Sequence, residues 1–342
     1  MERALNHHPT VCICGGGNIG HALVALWGTL GPVTCLTRRP EQWSKRLSYQ
    51  VGSGPWRETQ ELVISADPAI VSQYELVVIA LPRFAIADEL QRIAPFLRPG
   101  QTLVFIPGPA GMEEIVAQMR TRSVSVIAFQ RTPVVSRIAK YGHTVRIGSP
   151  RRVNKLAFSD TALYPQWKPY FERCFDGEVT TLSTFLSLTL SNSNPLLHPA
   201  RLVPLLNGGV GGCYPQCPYF YAEWTDESSR LYLAADDEMR QIFQAVSPET
   251  FQHDYESALV HYEATNIAEL TAKIRSIPSL HEILAPWKQS TTGLWCPDYT
   301  SRYFTEDVPF GTKIIQRYAR NAGIPTPTID SLIARIEQTQ QP

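Results

Sequence analysis

Val11-Cys12-Ile13-Cys14-Gly15-Gly16-Gly17-Asn18-Ile19-Gly20-His21-Ala22-Leu23 is the stretch on which the fold turns. An apolar run ends in Gly15-x-Gly17-x-x-Gly20, and a helical pattern follows at Ala22, Leu23, Leu26 and Trp27. That is a strand, a tight turn and a helix start. Gly15 permits the turn, Gly17 lets a phosphate approach the backbone, and Gly20 lets helix and strand pack closely. The unpaired amides and the dipole of the helix N-terminus favour an anion, here the pyrophosphate of a dinucleotide. Asn18 and Ile19 join the three glycines as expected cofactor contacts, whereas His21 reads as helix surface.

A second apolar run, Val33 to Leu36, ends about twenty residues on, where the adenosine ribose belongs. The residues there are Thr37-Arg38-Arg39, with no acid. An acid would bind the ribose 2′-hydroxyl and repel a 2′-phosphate, whereas two guanidiniums can pair with a phosphate bidentately. The reading is NADPH rather than NADH. The plainer alternative is two solvated arginines ahead of a helix at Pro40.

The 342 residues leave room for two domains, and 44% hydrophobic with 18% charged residues is the composition of a chain with a packed core. Net charge is zero, so there is no basic field for nucleic acid or an anionic membrane, and a small-molecule partner is expected. No apolar stretch nears the roughly 20 residues of a membrane span, and none of signal-peptide length opens the chain. Seven cysteines are an odd number, Cys12, Cys14 and Cys35 fall in buried strands, and Cys213-x3-Cys217 lacks a second pair for zinc. A reduced, cytoplasmic protein without a metal is expected.

Strands are expected at 10–14, 32–36, 61–65, 75–80, 102–106 and 123–129, with helices at 18–30, 40–48, 83–96, 110–120 and 161–174. A hairpin is expected over 143–158. Continuous apolar runs such as Leu76 to Ala80 suit a doubly wound parallel sheet covered on both faces. Ligands bind outside the carboxyl ends of such strands, so Leu81-Pro82 and Pro107 are expected at the nicotinamide. After about 178 the pattern becomes helical: 184–190, 199–206, 226–246, 250–272, 310–322 and 328–340. The expected architecture is a Rossmann-like α/β domain over 1–178 and an all-α domain over 179–342 for substrate and catalysis.

Two segments of the second half carry chemistry. In Asn194-Pro195-Leu196-Leu197-His198-Pro199 the prolines suggest a helix that breaks and restarts around one histidine. Taken alone, His198 also reads as a capping or packed histidine. Arg302-Tyr303-Phe304-Thr305-Glu306-Asp307-Val308-Pro309-Phe310-Gly311 then places an acid able to orient a histidine, and an arginine able to clamp a carboxylate. The alternative is that Thr305 and Glu306 cap the next helix.

These motifs, in order and from both halves, resemble the opine dehydrogenases, the octopine/nopaline dehydrogenase group. Leu36-Thr37-Arg38-Arg39-Pro40 also resembles the branch that builds opine metallophores such as staphylopine. The resemblance implies reductive condensation of an amino acid or derived amine with pyruvate or 2-oxoglutarate, through an imine and at the expense of NAD(P)H. It implies His198 as acid/base, Asp307 as its orienting carboxylate, Arg302 as partner of the keto-acid carboxylate and Asn194 as a positioning group. The chain is shorter than many members between about 225 and 300, and its ribose position lacks the octopine-type acid. Arg131 reads either as a substrate contact or as a turn anchor. Tyr214, Tyr219, Phe220, Tyr221 and Trp224 read either as a wall of the amine pocket or as the contact of a homodimer. A ketopantoate-reductase-like 2-oxo-acid reductase would need a lysine acid, for which only Lys288 and Lys313 lie near the motifs. A non-catalytic NADP(H) sensor would have lost the histidine–aspartate pair.

Overall fold

The computed structural model describes residues 9–340, and the chain divides into two compact units, Met1–Leu188 and Thr189–Pro342. In the first unit the strands are β1 Val11–Cys14, β2 Val33–Leu36, β3 Ser48–Val51, β4 Arg57–Glu58, β5 Val63–Ser65, β6 Leu76–Ile79, β7 Thr102–Phe105, β8 Ser125–Phe129, β9 Ser136–Lys140, β10 Thr144–Ile147, β11 Val153–Phe158 and β12 Glu178–Thr181. Eight of them form one sheet in the order β12-β11-β8-β7-β6-β1-β2-β5, parallel throughout except where β11 runs antiparallel to β8. The reversal of strand order beside β1 creates the crevice in which such folds hold nucleotides.

The continuous apolar runs are explained by burial on both faces. Val11, Ile13, Leu76, Val78 and Val104 enter one core with Leu23 and Trp27 of the helix Asn18–Trp27 and with Phe171 and Phe175 of the helix Tyr164–Phe175. Their neighbours Cys12, Cys14, Val77, Ile79, Leu103 and Phe105 enter the other core with Leu90 and Met119 of the helices Arg83–Ile93 and Glu113–Arg120. Each alternate residue therefore has an apolar partner. The division of the chain falls after Leu188, later than the expected 178, since β12 edges the main sheet and Phe185 and Leu188 pack into its second core.

Two expectations for this unit are overturned. Only Pro40–Gln42 turns helically in the 40–48 segment, and Ser48–Val51 is a strand whose Tyr49 is buried against the parallel partner β10. Nor is 143–158 a hairpin. β10 joins a four-stranded sheet, β4-β3-β10-β9, while β11 joins the main sheet, so Gly148-Ser149-Pro150 carries the chain between sheets.

The second unit is helical: Asn194–Asn207, Asp226–Val246, Pro248–Asp254, Ala258–His261, Ile267–Ser276, Lys313–Ala322 and Pro327–Gln340. The expected helix at 250–272 is interrupted twice, because Ser257 and Asn266 turn their side chains back onto the backbone amides of Val260 and Glu269 and cap new helices. One short antiparallel hairpin, β13 Trp287–Gln289 with β14 Trp295–Pro297, interrupts the helices. It bears on the cysteines: Cys213 and Cys296 are joined by a disulfide, so the fully reduced state expected from composition is corrected, while Cys12, Cys14, Cys35, Cys174 and Cys217 are free thiols. No helix among the described residues is long and apolar enough to cross a membrane.

Candidate active site

In the first unit the glycine-rich turn has the properties its spacing requires. Gly15 adopts φ +133°, and a Cβ there would lie 2.4 Å from Ala80 O. A Cβ on Gly20 would lie 1.9 Å from Gly15 O, so turn and helix meet with no room for a side chain. Around Gly17 a Cβ would touch nothing within 4 Å. The backbone there is open at the N-terminus of Asn18–Trp27, where no acidic residue occupies the first turn. This cradle fits the pyrophosphate of a dinucleotide. Arg38 and Arg39 are exposed directly after β2, beside a buried Thr37 whose Oγ1 accepts from the Arg39 amide. Leu81, Pro82 and Pro107 are half-buried just beyond the carboxyl ends of β6 and β7.

Asn18 and His21 also tie this turn to the smaller sheet. Asn18 Oδ1 accepts from the Ile138 amide at 2.8 Å, and its carbonyl accepts from Ser136 Oγ at 2.9 Å. His21, expected on the surface, is fully buried. Its Nδ1 lies 3.0 Å from Gly17 O and its Nε2 accepts from the Gly142 amide at 2.8 Å, so the ring is neutral with the proton on Nδ1. Burial pushes its pKa down to about 4.

In the second unit His198 occupies the second turn of Asn194–Asn207 and is 8% exposed. Pro195 starts this helix as expected, but Pro199 does not break it. Proline has no amide to offer the carbonyl four residues back. That carbonyl, Pro195 O, accepts instead from Thr312 Oγ1 at 2.6 Å. Gly311 approaches so closely that a Cβ would lie 3.0 Å from the Pro195 ring. These two contacts seat the helix on the segment Tyr303–Thr312, which is π-helical, whereas a helix was expected only from residue 310. Such wide turns are rare and concentrate at functional sites. Asp307 lies within this one, and its Oδ2 is 2.8 Å from His198 Nδ1.

The other imidazole nitrogen, Nε2, lies 3.0 Å from the Tyr221 hydroxyl. With the carboxylate accepting from Nδ1–H, the neutral ring takes a hydrogen bond from Tyr221; once protonated, it donates to the same oxygen. Burial raises the pKa of Tyr221 well above the ordinary tyrosine value, so it is a phenol at neutral pH. Its loop is clamped by buried Arg201, which donates to Phe220 O and Tyr219 O, and by Arg275, which donates to Trp224 O. Arg201 lies one turn beyond His198, and burial lowers its pKa to about 10. Neither Arg201 nor Tyr221 was singled out by its own motif. Tyr221 stood only within the aromatic cluster, and no local spacing marks a residue that a loop brings back.

The other expected residues are placed less closely. Asn194 is half-buried one turn before His198, and Arg131 is half-buried beyond β8. Arg302 is not drawn into the histidine cluster: its side chain is 73% exposed, 3.9 Å from Glu306. The aromatic cluster is no exposed patch, since Phe220, Tyr221 and Trp224 are buried and only Tyr219 is well exposed, so it lends a dimer no support. Lys288 and Lys313 are committed to surface ion pairs with Asp298 and Glu337.

Residues 181–339 match the family model of the NAD/NADP octopine/nopaline dehydrogenase alpha-helical domain. An opine dehydrogenase of Haliotis discus hannai is 23% identical over 95% of this chain and 88% of its own. An octopine dehydrogenase of Pecten maximus is 26% identical over 94% of this chain and 88% of its own. A solved octopine dehydrogenase with NADH and L-arginine superposes with a TM-score of 0.82 at 24% identity, covering 97% of this chain and 90% of that one.

Proposed function

We propose that this chain, a member of the octopine/nopaline dehydrogenase family, is an NADPH-dependent opine dehydrogenase. It joins the amino group of an amino acid or amino-acid-derived amine to the carbonyl of pyruvate or 2-oxoglutarate. The product is a secondary amine dicarboxylate, and the run Thr37-Arg38-Arg39 favours the metallophore branch of such reactions. Cytoplasmic NADPH and keto acids are the expected supply.

The observation that carries this reading is the hydrogen-bonded triplet Asp307–His198–Tyr221. Imine formation requires a proton on the departing hydroxyl, and a histidine releases and regains one near neutral pH. Asp307 holds the proton on Nδ1 in the neutral ring and stabilises the imidazolium, leaving Nε2 as the working atom. Arg302 is proposed to meet the keto-acid carboxylate, its loose contact with Glu306 leaving the guanidinium available; Asn194 and Arg131 are proposed as further substrate contacts. The glycine turn, with Thr37, Arg38, Arg39, Leu81, Pro82 and Pro107, is proposed to hold the dinucleotide. NADPH supplies the hydride that reduces the imine carbon.

The test is NADPH absorbance with pyruvate or 2-oxoglutarate, with and without a panel of amino acids and aminobutyrate amines. Oxidation that needs both keto acid and amine is expected. Oxidation with keto acid alone would replace this reading with a 2-oxo-acid reductase, a reading the ion-paired Lys288 and Lys313 do not favour.

A further inference from the structure

His198 is nearly closed off from solvent, yet the proposed reaction consumes a proton at each turnover: keto acid, neutral amine, NADPH and one proton give opine, NADP and water. Nδ1 is held by Asp307, so the exchangeable proton belongs to Nε2, and Nε2 faces the Tyr221 hydroxyl at 3.0 Å. Tyr221 is itself only 6% exposed. Its side chain in turn hydrogen-bonds to that of Tyr303, which is half-buried. The Tyr303 ring lies 4.7 Å from the His198 ring and 4.9 Å from Phe220, and three residues separate it from Asp307 in the same π-helical segment. A line of polar groups thus runs Asp307, His198, Tyr221, Tyr303, with the two buried groups in the middle and half-buried Tyr303 at the end beyond Tyr221.

We propose that Tyr221 and Tyr303 form a proton relay through which His198 Nε2 gives up and regains its proton. This rests on the functional reading above. In the delivering direction the Nε2–H bond breaks as the proton reaches Tyr221 Oη, Tyr221 passes its own proton to Tyr303 Oη, and Tyr303 passes its proton to the departing hydroxyl, which leaves as water. Reloading reverses the path, with hydronium or a buffer acid protonating Tyr303. No electrons change hands, and both tyrosines end each passage as phenols. Burial and the crowding of Tyr221 by Tyr303, Tyr262 and Asp307 raise its pKa, so the transfers are concerted and no phenolate accumulates. Tyr303 meets the departing hydroxyl, Tyr221 links it to His198, and neither has a part in forming the dinucleotide cradle.

The experiment compares wild type with Tyr221→Phe and Tyr303→Phe in mixtures of H2O and D2O. The expected result is a fall in kcat of roughly 10- to 100-fold for each variant, with unchanged NADPH affinity. A proton inventory that is curved in the wild type, with several protons in flight, becomes linear in the variants. Wild-type kcat in Tyr221→Phe, or an unchanged inventory, overturns the relay. A readout independent of turnover uses 15N-histidine spectra. The Nε2 resonance of His198 is expected to move toward that of a free lone pair in Tyr221→Phe, and an unmoved resonance overturns the proposal even in an inactive protein. A wild type inert toward every keto acid and amine, with the resonance shift present, would sink the functional reading while leaving the hydrogen-bonded line in place.

Discussion

A histidine in the second turn of a mostly apolar helix is usually a packed core residue, and His198 is packed. What separates it from that ordinary case is that each ring nitrogen has a different kind of partner, a carboxylate at 2.8 Å and a phenol at 3.0 Å. The carboxylate selects the tautomer. Asp307→Asn keeps the shape and loses the selection, so kcat should fall by roughly 10²–10⁴, while NADPH affinity, read by fluorescence titration, stays within error. A variant with wild-type kcat would remove Asp307 from the mechanism. The paired substitution Arg38→Ala with Arg39→Ala should weaken NADPH binding by roughly tenfold or more, since a charge-assisted hydrogen bond is worth about 1.5–3 kcal/mol. NADH binding should barely change, and equal loss for both would end the 2′-phosphate reading. His198 and Asp307 were legible because each lies in a short motif whose residue types stand out locally. Tyr221 was not, since its place depends on a loop fixed by Arg201 from the helix of His198 and by Arg275 from Ile267–Ser276.

At the scale of elements, the turn and the helix Asn18–Trp27 separate the folding role of glycine from its binding role. Gly20→Ala puts a Cβ against the Gly15 carbonyl, which is backbone and cannot swing away. It should lower the melting temperature sharply or prevent folding. Gly17→Ala meets empty space at an ordinary φ of −82°, so it should melt like the wild type yet lose NADPH affinity; unimpaired binding would mean that no ligand approaches there. His21 gives the same region a pH response. It titrates at about 4 in the fold against an ordinary 6.5, so the unfolded chain takes up the proton first as pH falls. Its contribution is complete above pH 6.5 and is lost as pH drops toward 4, by roughly 3 kcal/mol across the window. Urea unfolding at pH 7 and pH 4.5 should therefore differ less in His21→Gln than in the wild type, and equal differences would show that His21 does not set this slope. The buried strands β1, β6 and β7 could be read from their apolar runs, because burial on two faces needs no context. β3 could not, as its half-exposed residues pair with β10 across distant sequence, and β10, expected as one arm of a hairpin, pairs with β9 and β3 instead of β11. The same limit hid the breaks at 255–257 and 262–266, where caps outweigh an amphipathic pattern that continues through them.

At the scale of the whole molecule, the disulfide belongs to the helical unit alone. Cys213–Cys296 spans 83 residues and joins the loop leading to Tyr221 with the hairpin leading to Tyr303 and Asp307. Both partners of His198 therefore sit on chain that the bond tethers, alongside the paired Tyr214 and Trp295 backbones and the bond from Trp287 Nε1 to Gly212 O. Closing a loop of this length restricts the unfolded chain, typically by about 2–4 kcal/mol. Composition could not reveal it, because an odd number of cysteines, three of them in buried strands, reads as thiols, and pairing depends on which two the fold brings together. A disulfide is unusual where thiols are kept reduced, which makes its state in the working enzyme a question with a measurable answer. Hydrogen exchange followed by mass spectrometry, with and without dithiothreitol, should show faster exchange confined to 208–221 and 287–306, with β1, β6 and β7 unchanged. Activity should fall in parallel, since the tether holds the orientation of both hydrogen bonds to His198. If exchange in those two segments is the same after reduction, the backbone pairings and Trp287 suffice to hold them, and the bond adds stability without shaping the site.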